Sequence, residues 1–248
     1  MTLMLDHFVV HMDNDPARLH ALKDELATLG IPFEPDRGKG TKGFKASNIW
    51  IGRQYFEIVR ILRPDGGGWV PAWVARHQRG VRGLYCIFLK TDRLDELAAR
   101  LREASLAPAG PERISYRAFF GLFRKSMPWR VLYLPPVPGT DLEISFIEYD
   151  PGSQDAFKPH MVPNADENGV VGVSSATVRM PFSSEARPFL AKLFPDAAVE
   201  PDVVTAPLDN GRLRFTPGEN VHVALDADMA APNHCRGSVT FENVTLQA

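Results

Sequence analysis

The feature that most constrains this chain is an internal repeat of one supersecondary pattern. Residues 6–22 (DHFVVHMDNDPARLHAL) and 85–97 (YCIFLKTDRLDEL) both contain an apolar strand, an acidic strand end and a leucine-periodic helix. The two strand ends, Asp13 and Asp92, lie 79 positions apart. A repeat of this kind predicts similar units that bury their apolar faces against each other.

The first copy begins with a strand and a helix. Residues 3–12 are rich in Val, Leu and Phe and are followed by acidic and amide residues that end strands. Asp15 and Pro16 are typical of a helix N-cap with proline at the first helical position, and leucines then recur at helical spacing until Gly30. Residues 31–62 alternate Gly and Pro breaks with β-rich segments, which predicts two or three antiparallel strands. The first copy is therefore β-α-β-β-β.

The second copy follows the same order after a loop and a short helix at residues 71–77. Residues 84–90 (LYCIFLK) predict a strand, and the leucine spacing after Arg93 predicts a helix that the segment APAGP ends. Three further strands are predicted at residues 117–125, 128–136 and 141–149. This pattern matches the three strands that end the first copy.

The C-terminal part of the chain contains a third, weaker copy. A strand-like segment, VVGVSSATVRMP, is followed by a helix-like segment with a serine cap, SSEARPFLAKLF. The Pro217–Gly218 turn predicts a hairpin over residues 211–226, and residues 238–247 predict a last strand. The copy is less regular than the first two.

These elements predict an α+β protein built from repeated βαβββ modules. The expected organisation is a paired domain at 1–150 (modules 3–63 and 83–150), a linker at 151–170 and a degenerate third module at 171–248. An odd number of modules leaves one sheet edge without an obvious partner. A homodimer partner or the last strand could cover that edge, and we favour the last strand.

Composition and charge exclude several classes of function. The net charge is −2 and the basic residues are spread along the chain, so no basic stripe indicates a nucleic-acid surface. The two cysteines form no metal-binding pair, which favours a reducing compartment. No stretch approaches the ~20 apolar residues of a membrane span, and no signal-peptide pattern is present, so we expect a cytoplasmic protein without a membrane partner. Motifs typical of hydrolase triads and nicotinamide enzymes are also missing.

The order of these segments resembles the glyoxalase/bleomycin-resistance (vicinal oxygen chelate) superfamily, and within it the glyoxalase-like domain group. The resemblance rests on LDHFVV and QYFEIV in the first copy, on WVARHQRGVRGLYCIFLKTDRLDEL, PWRVLYLPP and FIEYDP in the second, and on PNADENGVVGVSSATVRMP. It covers roughly residues 3–181. The resemblance implies that paired modules form a cupped mixed sheet that binds a small molecule.

In metal-using members of that superfamily, each module provides one ligand from its first strand and a glutamate from its last. The resemblance therefore implies His7 and Glu57 as metal ligands of the first module. Imidazole and carboxylate groups suit divalent Fe, Mn, Ni or Zn. The second module departs from the pattern, because the alignment places Cys86, or Tyr85 after a shift of one residue, where His7 lies.

Two glutamates compete for the remaining ligand position and for a catalytic role. Strand parity places Glu143 on the polar face of its strand, where it would face the pocket as the third metal ligand. Glu148 shares a face with apolar residues, but it lies in the FIEYDP segment that carries the resemblance, and a β-bulge would reverse the faces. Both therefore stay candidates. The pocket walls are expected to contain Trp50, Tyr55, Phe119, Phe120 and Trp129, with Arg124 holding an anionic group.

Two functions follow from these residues. The first is metal-assisted lyase, isomerase or dioxygenase chemistry on a small organic substrate. The second is metal-free binding or sequestration of a small molecule, as in the drug-binding members of the superfamily, and the missing histidine of the second module favours it. Convergence of the predicted ligands within ~2.0–2.2 Å of a common ion would separate the two functions.

Overall fold

The computed structural model describes residues 1–118, 123–230 and 237–248, except for the side chains of residues 116–118, 123 and 124. The described helices are α1 (Pro16–Ala27), α2 (Pro71–Gln78), α3 (Leu94–Glu103), α4 (Ser153–Phe157) and α5 (Ala186–Leu193). The strands up to residue 149 are β1 (Met4–Met12), β2 (Lys39–Gly40), β3 (Phe44–Ile51), β4 (Gln54–Ile61), β5 (Gly83–Lys90), β6 (Ala109–Ala118), β7 (Phe123–Tyr133) and β8 (Glu143–Tyr149). The later strands are β9 (Val170–Met180), β10 (Ala198–Glu200), β11 (Val203–Leu208), β12 (Gly211–Pro217), β13 (His222–Met229), β14 (Ser238–Phe241) and β15 (Val244–Gln247).

The first two copies form one curved, eight-stranded mixed sheet, called the first sheet below. Its strand order is β2-β3-β4-β1-β5-β8-β7-β6. The two modules meet where β1 pairs antiparallel with β5, and in each module the last strand pairs parallel with the first. The α+β class and the cupped mixed sheet expected from the sequence are confirmed.

Local chemistry explains how the first module begins. The Asp15 carboxylate accepts a 3.0 Å hydrogen bond from the backbone N–H of Ala17 and so caps α1. Leu19, Leu22 and Leu26 recur at helical spacing and are buried against the sheet. Burial of each such side chain contributes roughly 1.5–3 kcal/mol.

The second copy differs from expectation at one edge of the sheet. Strand β6 covers Ala109–Ala118, which includes the segment predicted to be a helix breaker, and β7 joins two segments predicted to be separate strands. A proline is tolerated because β6 is an edge strand, where the missing N–H of Pro111 removes no hydrogen bond between central strands. The single strand predicted at 117–125 is wrong, because residues 117–118 belong to β6 and residues 123–125 to β7, which pairs antiparallel with β6. Residues 119–122 lie outside the described residues.

The C-terminal part forms a second sheet of seven strands in the order β10-β11-β12-β9-β13-β15-β14. The predicted hairpin over residues 211–226 is wrong, because β12 and β13 each pair with β9 and lie on opposite sides of it. The predicted last strand is a hairpin of β14 and β15 that turns at Glu242, whose φ is 52°. The third copy thus pairs with β13, β14 and β15, which repeat the pairings of the first strand and the last two strands of a module.

The two sheets share one apolar core. Buried residues of β1, β4 and β5, of helices α1, α3 and α5, and of strands β9, β12, β13 and β15 belong to a single cluster. Phe56 of the first sheet and Phe241 of the second meet edge to face with ring centroids 5.6 Å apart. Because each sheet turns one face to this core, the opposite faces point away from each other. Within the described ranges, no helix is long and apolar enough to cross a membrane.

Candidate functional site

The first cup is the face of the first sheet that is turned away from α1 and α3. An apolar cluster separate from the main core lines this face, the floor of the cup, and includes Trp73, which is not on the sheet: Val9, Val59, Ile61, Trp73, Tyr85, Cys86, Phe88, Val131 and Ile147. Aromatic side chains of β3, β4, β7 and β8 surround this floor. A concave, mostly apolar surface with a few polar groups is the usual setting for binding a small molecule.

Helix α2 covers one end of the first cup. Trp73 is buried, and its indole Nε1 donates a 2.8 Å hydrogen bond to Glu143 Oε1. The guanidinium carbon of Arg76 lies 3.8 Å from the centre of the Tyr85 ring. Arg76 also donates a hydrogen bond to the backbone carbonyl of Asp141. The helix is therefore fixed to the second module and covers this end of the cup.

His11 lies buried beneath the covered end. The indole Nε1 of Trp69 donates a 3.1 Å hydrogen bond to His11 Nε2, while His11 Nδ1 is buried without a partner in the described structure. Burial, followed by the charges of His77, Arg76 and Arg82, lowers the pKa of His11 to about 2. This histidine is therefore neutral at physiological pH and belongs to the packing beneath α2.

His7 lies buried in the cup, and Asp6 orients it. A register shift just before His7 marks a β-bulge, so the adjacent Asp6 and His7 side chains meet. Asp6 Oδ2 accepts a 2.7 Å hydrogen bond from His7 Nδ1 and a 3.0 Å bond from the Tyr149 hydroxyl. The imidazole is stacked between Tyr55 and Phe88, with centroid distances of 4.5 and 4.3 Å. A proton held at Nδ1 leaves the Nε2 lone pair available as an acceptor.

Glu57 is the carboxyl group nearest to His7 on the neighbouring strand. It is opposite Val9 in the β1–β4 ladder, two residues beyond the pair formed by His7 and Tyr55 and on the same face. No described side chain donates a hydrogen bond to Glu57. Burial raises the pKa of Glu57 above its usual value, and the charge of His7 opposes this shift. Such a carboxyl group can donate as well as accept a proton.

The two glutamates of β8 face opposite sides of the sheet. Glu143 faces the cup, where burial raises its pKa and the Trp73 hydrogen bond opposes the shift. Glu148 faces away, accepts a 3.2 Å hydrogen bond from the Leu94 N–H at the start of α3, and pairs with Arg130. Strand β8 pairs with β5 and β7 without a register shift, so the bulge that would reverse these faces does not occur.

The strand registers define which residues of the two modules correspond. His7 is opposite Phe88, and Val9 is opposite Cys86. A local two-fold axis between these pairs carries His7 to Cys86 and Val9 to Phe88. The sequence alignment of Cys86 with His7 agrees with this correspondence.

The same registers identify the counterpart of Glu57. Val9 pairs with Glu57 in the first module, and Phe88 pairs with Ser145 in the second. The two-fold axis that carries Val9 to Phe88 therefore carries Glu57 to Ser145. Glu143 corresponds instead to Tyr55, because Glu143 pairs with Cys86 and Tyr55 pairs with His7.

The residues present do not fit a metal site with one ligand pair from each module. The four corresponding positions hold His7, Glu57, Cys86 and Ser145, of which only the first two are ligands of the predicted type. Burial, and then the charge of Glu143, raises the pKa of the Cys86 thiol well above its usual value, which disfavours the thiolate that a metal requires. Within residues 1–118, 123–230 and 237–248, no three His, Cys, Asp or Glu side chains are grouped to hold a metal ion.

Aromatic residues line the walls of the cup near His7. The Trp50 ring lies 4.5 Å from that of Tyr55, and the Trp129 ring lies 6.0 Å from that of Tyr149. The structure thus brings Trp50, Tyr55 and Trp129 to one concave surface. Outside the described residues lie Phe119, Phe120 and the side chain of Arg124, which stay predictions.

Sequence reasoning did not find Asp6, Tyr149 or Gln154. Gln154 Nε2 donates a 3.4 Å hydrogen bond to Asp6 Oδ1, and Lys90 Nζ donates a 2.8 Å bond to Gln154 Oε1. Strand parity places Asp6 on the opposite face from His7, so only the bulge brings them together. The adjacency of Asp6 and His7 in an apolar strand was the one available signal.

A model of the family described as glyoxalase-like domain matches residues 5–194. The chain belongs to this family. A hypothetical protein from Staphylococcus aureus shares the fold of this glyoxalase-like chain, with a TM-score of 0.67, 15% identity and coverage of 100% of this chain and 98% of that one. A variant of Streptomyces coelicolor methylmalonyl-CoA epimerase in complex with 2-nitronate-propionyl-CoA gives a TM-score of 0.40 and 17% identity over 58% of this chain and 96% of that one. A search of curated proteins gave no match.

Proposed function

We propose that this glyoxalase-like protein binds a small organic molecule in the first cup without a metal as the anchor. The observation that carries the proposal is the set of four corresponding positions, His7, Glu57, Cys86 and Ser145. Only the first module retains residues of the metal-ligand type there. The polar contacts to a ligand then come from His7 and Glu57 themselves.

The charge of the cup indicates which ligand it accepts. Asp6, Glu57 and Glu143 lie on or beside its floor, and burial raises the pKa of both glutamates. Arg76, the described guanidinium packed against the floor, is already bound by the Asp141 carbonyl and the Tyr85 ring. An acidic, aromatic-walled cup favours a planar ligand that is cationic or carries N–H or O–H donors.

Intrinsic fluorescence tests this proposal directly. The chain has four tryptophans, and Trp50, Trp69, Trp73 and Trp129 all lie in the cup or in the segment that covers it. Benzamidinium, benzamide and benzoate have the same ring and charges of about +1, 0 and −1. We expect quenching by the first two and weaker binding of benzoate, with Glu57→Gln reducing the preference for the cation. Equal or tighter binding of benzoate, or no binding of any of the three, would contradict the proposal.

Metal analysis by mass spectrometry supplies the second test. Untagged protein purified without chelator is compared with the His7→Ala/Glu57→Ala double variant. We expect neither protein to carry stoichiometric Fe, Mn, Ni or Zn. If the wild type carries near-stoichiometric metal and the double variant loses it, the result would contradict the metal-free proposal and support the metal-assisted reaction.

The Asp6–His7 contact favours a second candidate, proton transfer on a bound carbonyl compound. His7 Nε2 would take a proton from the carbon beside the carbonyl, the C–H electron pair would form a C=C bond, and the oxygen would take the proton of Glu57. Exchange of the methyl protons of acetophenone in D2O, followed by NMR, measures this step. We expect acceleration by the wild type and not by His7→Gln, and no acceleration by the wild type would exclude the reaction for this substrate.

A further inference from the structure

The second sheet repeats the plan of the first sheet at its centre. The order β12-β9-β13-β15 corresponds to β4-β1-β5-β8, with the same parallel and antiparallel pairings. Strand β9 also has a register shift at Ser174, as β1 has at Asp6. Aligning the two shifts makes Ser175 the counterpart of His7 and Thr177 the counterpart of Val9.

This correspondence extends to the neighbouring strand and inverts the charge there. Arg212 pairs with Ser175 as Tyr55 pairs with His7. Two residues further along each strand, Arg214 pairs with Thr177 as Glu57 pairs with Val9. The position that holds a carboxyl group in the first cup therefore holds a guanidinium in the second sheet.

Arg212 and Arg214 lie on the face turned away from the shared core, called the second cup below. They alternate with Leu213 and Phe215, which are fully buried in that core. Arg214 is half-buried, and Arg212 is exposed. Arg179, opposite Thr216 on β9, adds a third guanidinium to the same face. This face therefore carries three guanidinium groups, beside the carboxylates of Asp226 and Glu200, whereas the first cup carries carboxyl groups and is partly covered by α2.

The three arginines have no carboxylate partners in the described structure. Arg212 Nε donates only a long 3.4 Å hydrogen bond to Ser175 Oγ, and no described salt bridge involves Arg179, Arg212 or Arg214. Burial, and then the charge of Arg179, lowers the pKa of His222 beside it, consistent with a positive potential on this face. Unpaired guanidinium groups on a concave surface are free to bind an anion.

Several hydroxyl and amide groups lie beside the arginines in the second cup. In register with the arginines lie Ser175, Thr177, Thr205, Thr245 and Gln247. Short hydroxyl side chains leave space above the sheet and can donate to anionic oxygens. Asp226, opposite Ser175, is the carboxylate of this row and weakens rather than strengthens an anion site.

We propose that the second cup binds a small molecule through a phosphate group held by Arg212 and Arg214, with Arg179 contributing charge. Guanidinium groups bind phosphate oxygens in pairs, which a single ammonium cannot do. The inference does not depend on the ligand of the first cup. The two modular sheets of one chain then carry two sites of opposite charge.

Calorimetric titration with inorganic phosphate at constant ionic strength tests the proposal. The wild type is compared with Arg212→Gln/Arg214→Gln and with a control that removes two exposed arginines elsewhere, Arg37→Gln/Arg79→Gln. We expect the first double variant to weaken binding at least about tenfold and the control to change it less than about twofold. Asp226→Asn should tighten binding. Thermal unfolding of each variant shows whether the fold is retained.

Two results would overturn the proposal. One is the absence of phosphate binding to the wild type up to about 10 mM, roughly ten times a millimolar dissociation constant. The other is equal loss of binding in both double variants, which would indicate net charge rather than a site. Tryptophan emission shows which cup the phosphate occupies, because all four tryptophans lie in the first cup or in the segment that covers it. Phosphate binding that quenches this emission would place the anion in the first cup and would also overturn the proposal.

Discussion

The two sheets have the same central topology but differ in what their outer faces contain. The first cup has Val9, Phe88 and Val131 on its floor and is covered at one end by α2. In the second cup Thr177 and Asp226 take the positions of Val9 and Phe88, and arginines take those of Tyr55 and Glu57. No helix lies in the described segment between β12 and β13. In both sheets the opposite face is equally apolar and belongs to the one shared core. The comparison shows that the inward faces determine the fold, while the outward faces are free to acquire different functions.

The largest expected difference between the cups concerns the helix that covers the first one. Trp73→Ala removes a buried ring and leaves Glu143 without its indole donor. We expect a loss of about 3–5 kcal/mol in the free energy of unfolding, measured by urea denaturation. Thr177→Ala in the second cup, where no helix packs on a half-buried hydroxyl, should cost less than about 1 kcal/mol. Similar losses at both sites would show that the second cup is covered as well.

The dependence of the free energy of unfolding on acidic pH should also differ between the two cups. The folded state lowers the pKa of His11 to about 2 from 6.5, so the unfolded chain binds a proton first as the pH falls. Stability present above pH 6.5 is therefore lost as the pH falls towards 2, by up to about 1.4 kcal/mol per pH unit. His11→Gln should flatten this dependence in urea denaturation series. His222→Gln, in the more open second cup, should flatten it less, and the reverse order would contradict the assignment.

The elements that the sequence predicted well are those with strong local signals. Asp15 and Pro16 defined the start of α1, and the leucine spacing defined α1 and α3. The edge strand β6 was missed because Gly and Pro normally end strands, and only its position at the sheet edge makes them tolerable. The hairpin predicted around Pro217–Gly218 failed because a turn signal does not reveal that β9 lies between the two strands.

The candidate site was predictable in part, for a similar reason. The resemblance implied His7 and Glu57, strand parity favoured Glu143, and the registers of the structure bring all three to one face. The bulge that joins Asp6 to His7 and the indole that binds Glu143 depend on long-range packing. The periodicity of a single sequence indicates neither contact. The correspondence of Glu57 with Ser145 likewise required the register between modules.

A smaller effect distinguishes the two faces of the first sheet itself. Glu148 accepts a hydrogen bond from the first turn of α3 and pairs with Arg130, outside the cup. Glu148→Ala should cost about 1 kcal/mol, the usual value of a lost helix cap, in urea denaturation. It should leave benzamidinium binding unchanged. A loss of ligand binding without loss of stability would instead place Glu148 in the functional site.

The smallest expected effect is a gain in stability, and it tests whether burial of Glu57 in the first cup destabilises the folded state. The folded state raises the pKa of Glu57 above 4.5, so between that pH and the raised pKa the unfolded chain has already lost a proton that the folded chain keeps. Stability is therefore complete below pH 4.5 and is lost as the pH rises through the folded pKa. Glu57→Gln should raise the melting temperature at pH 8 and leave it unchanged near pH 4. Glu219→Gln, exposed beside the second cup, should have no effect at either pH. A Glu57→Gln variant that is less stable at pH 8 would mean that the carboxylate is ionised and paired, and the acidic cup would then be poorly suited to donate a proton.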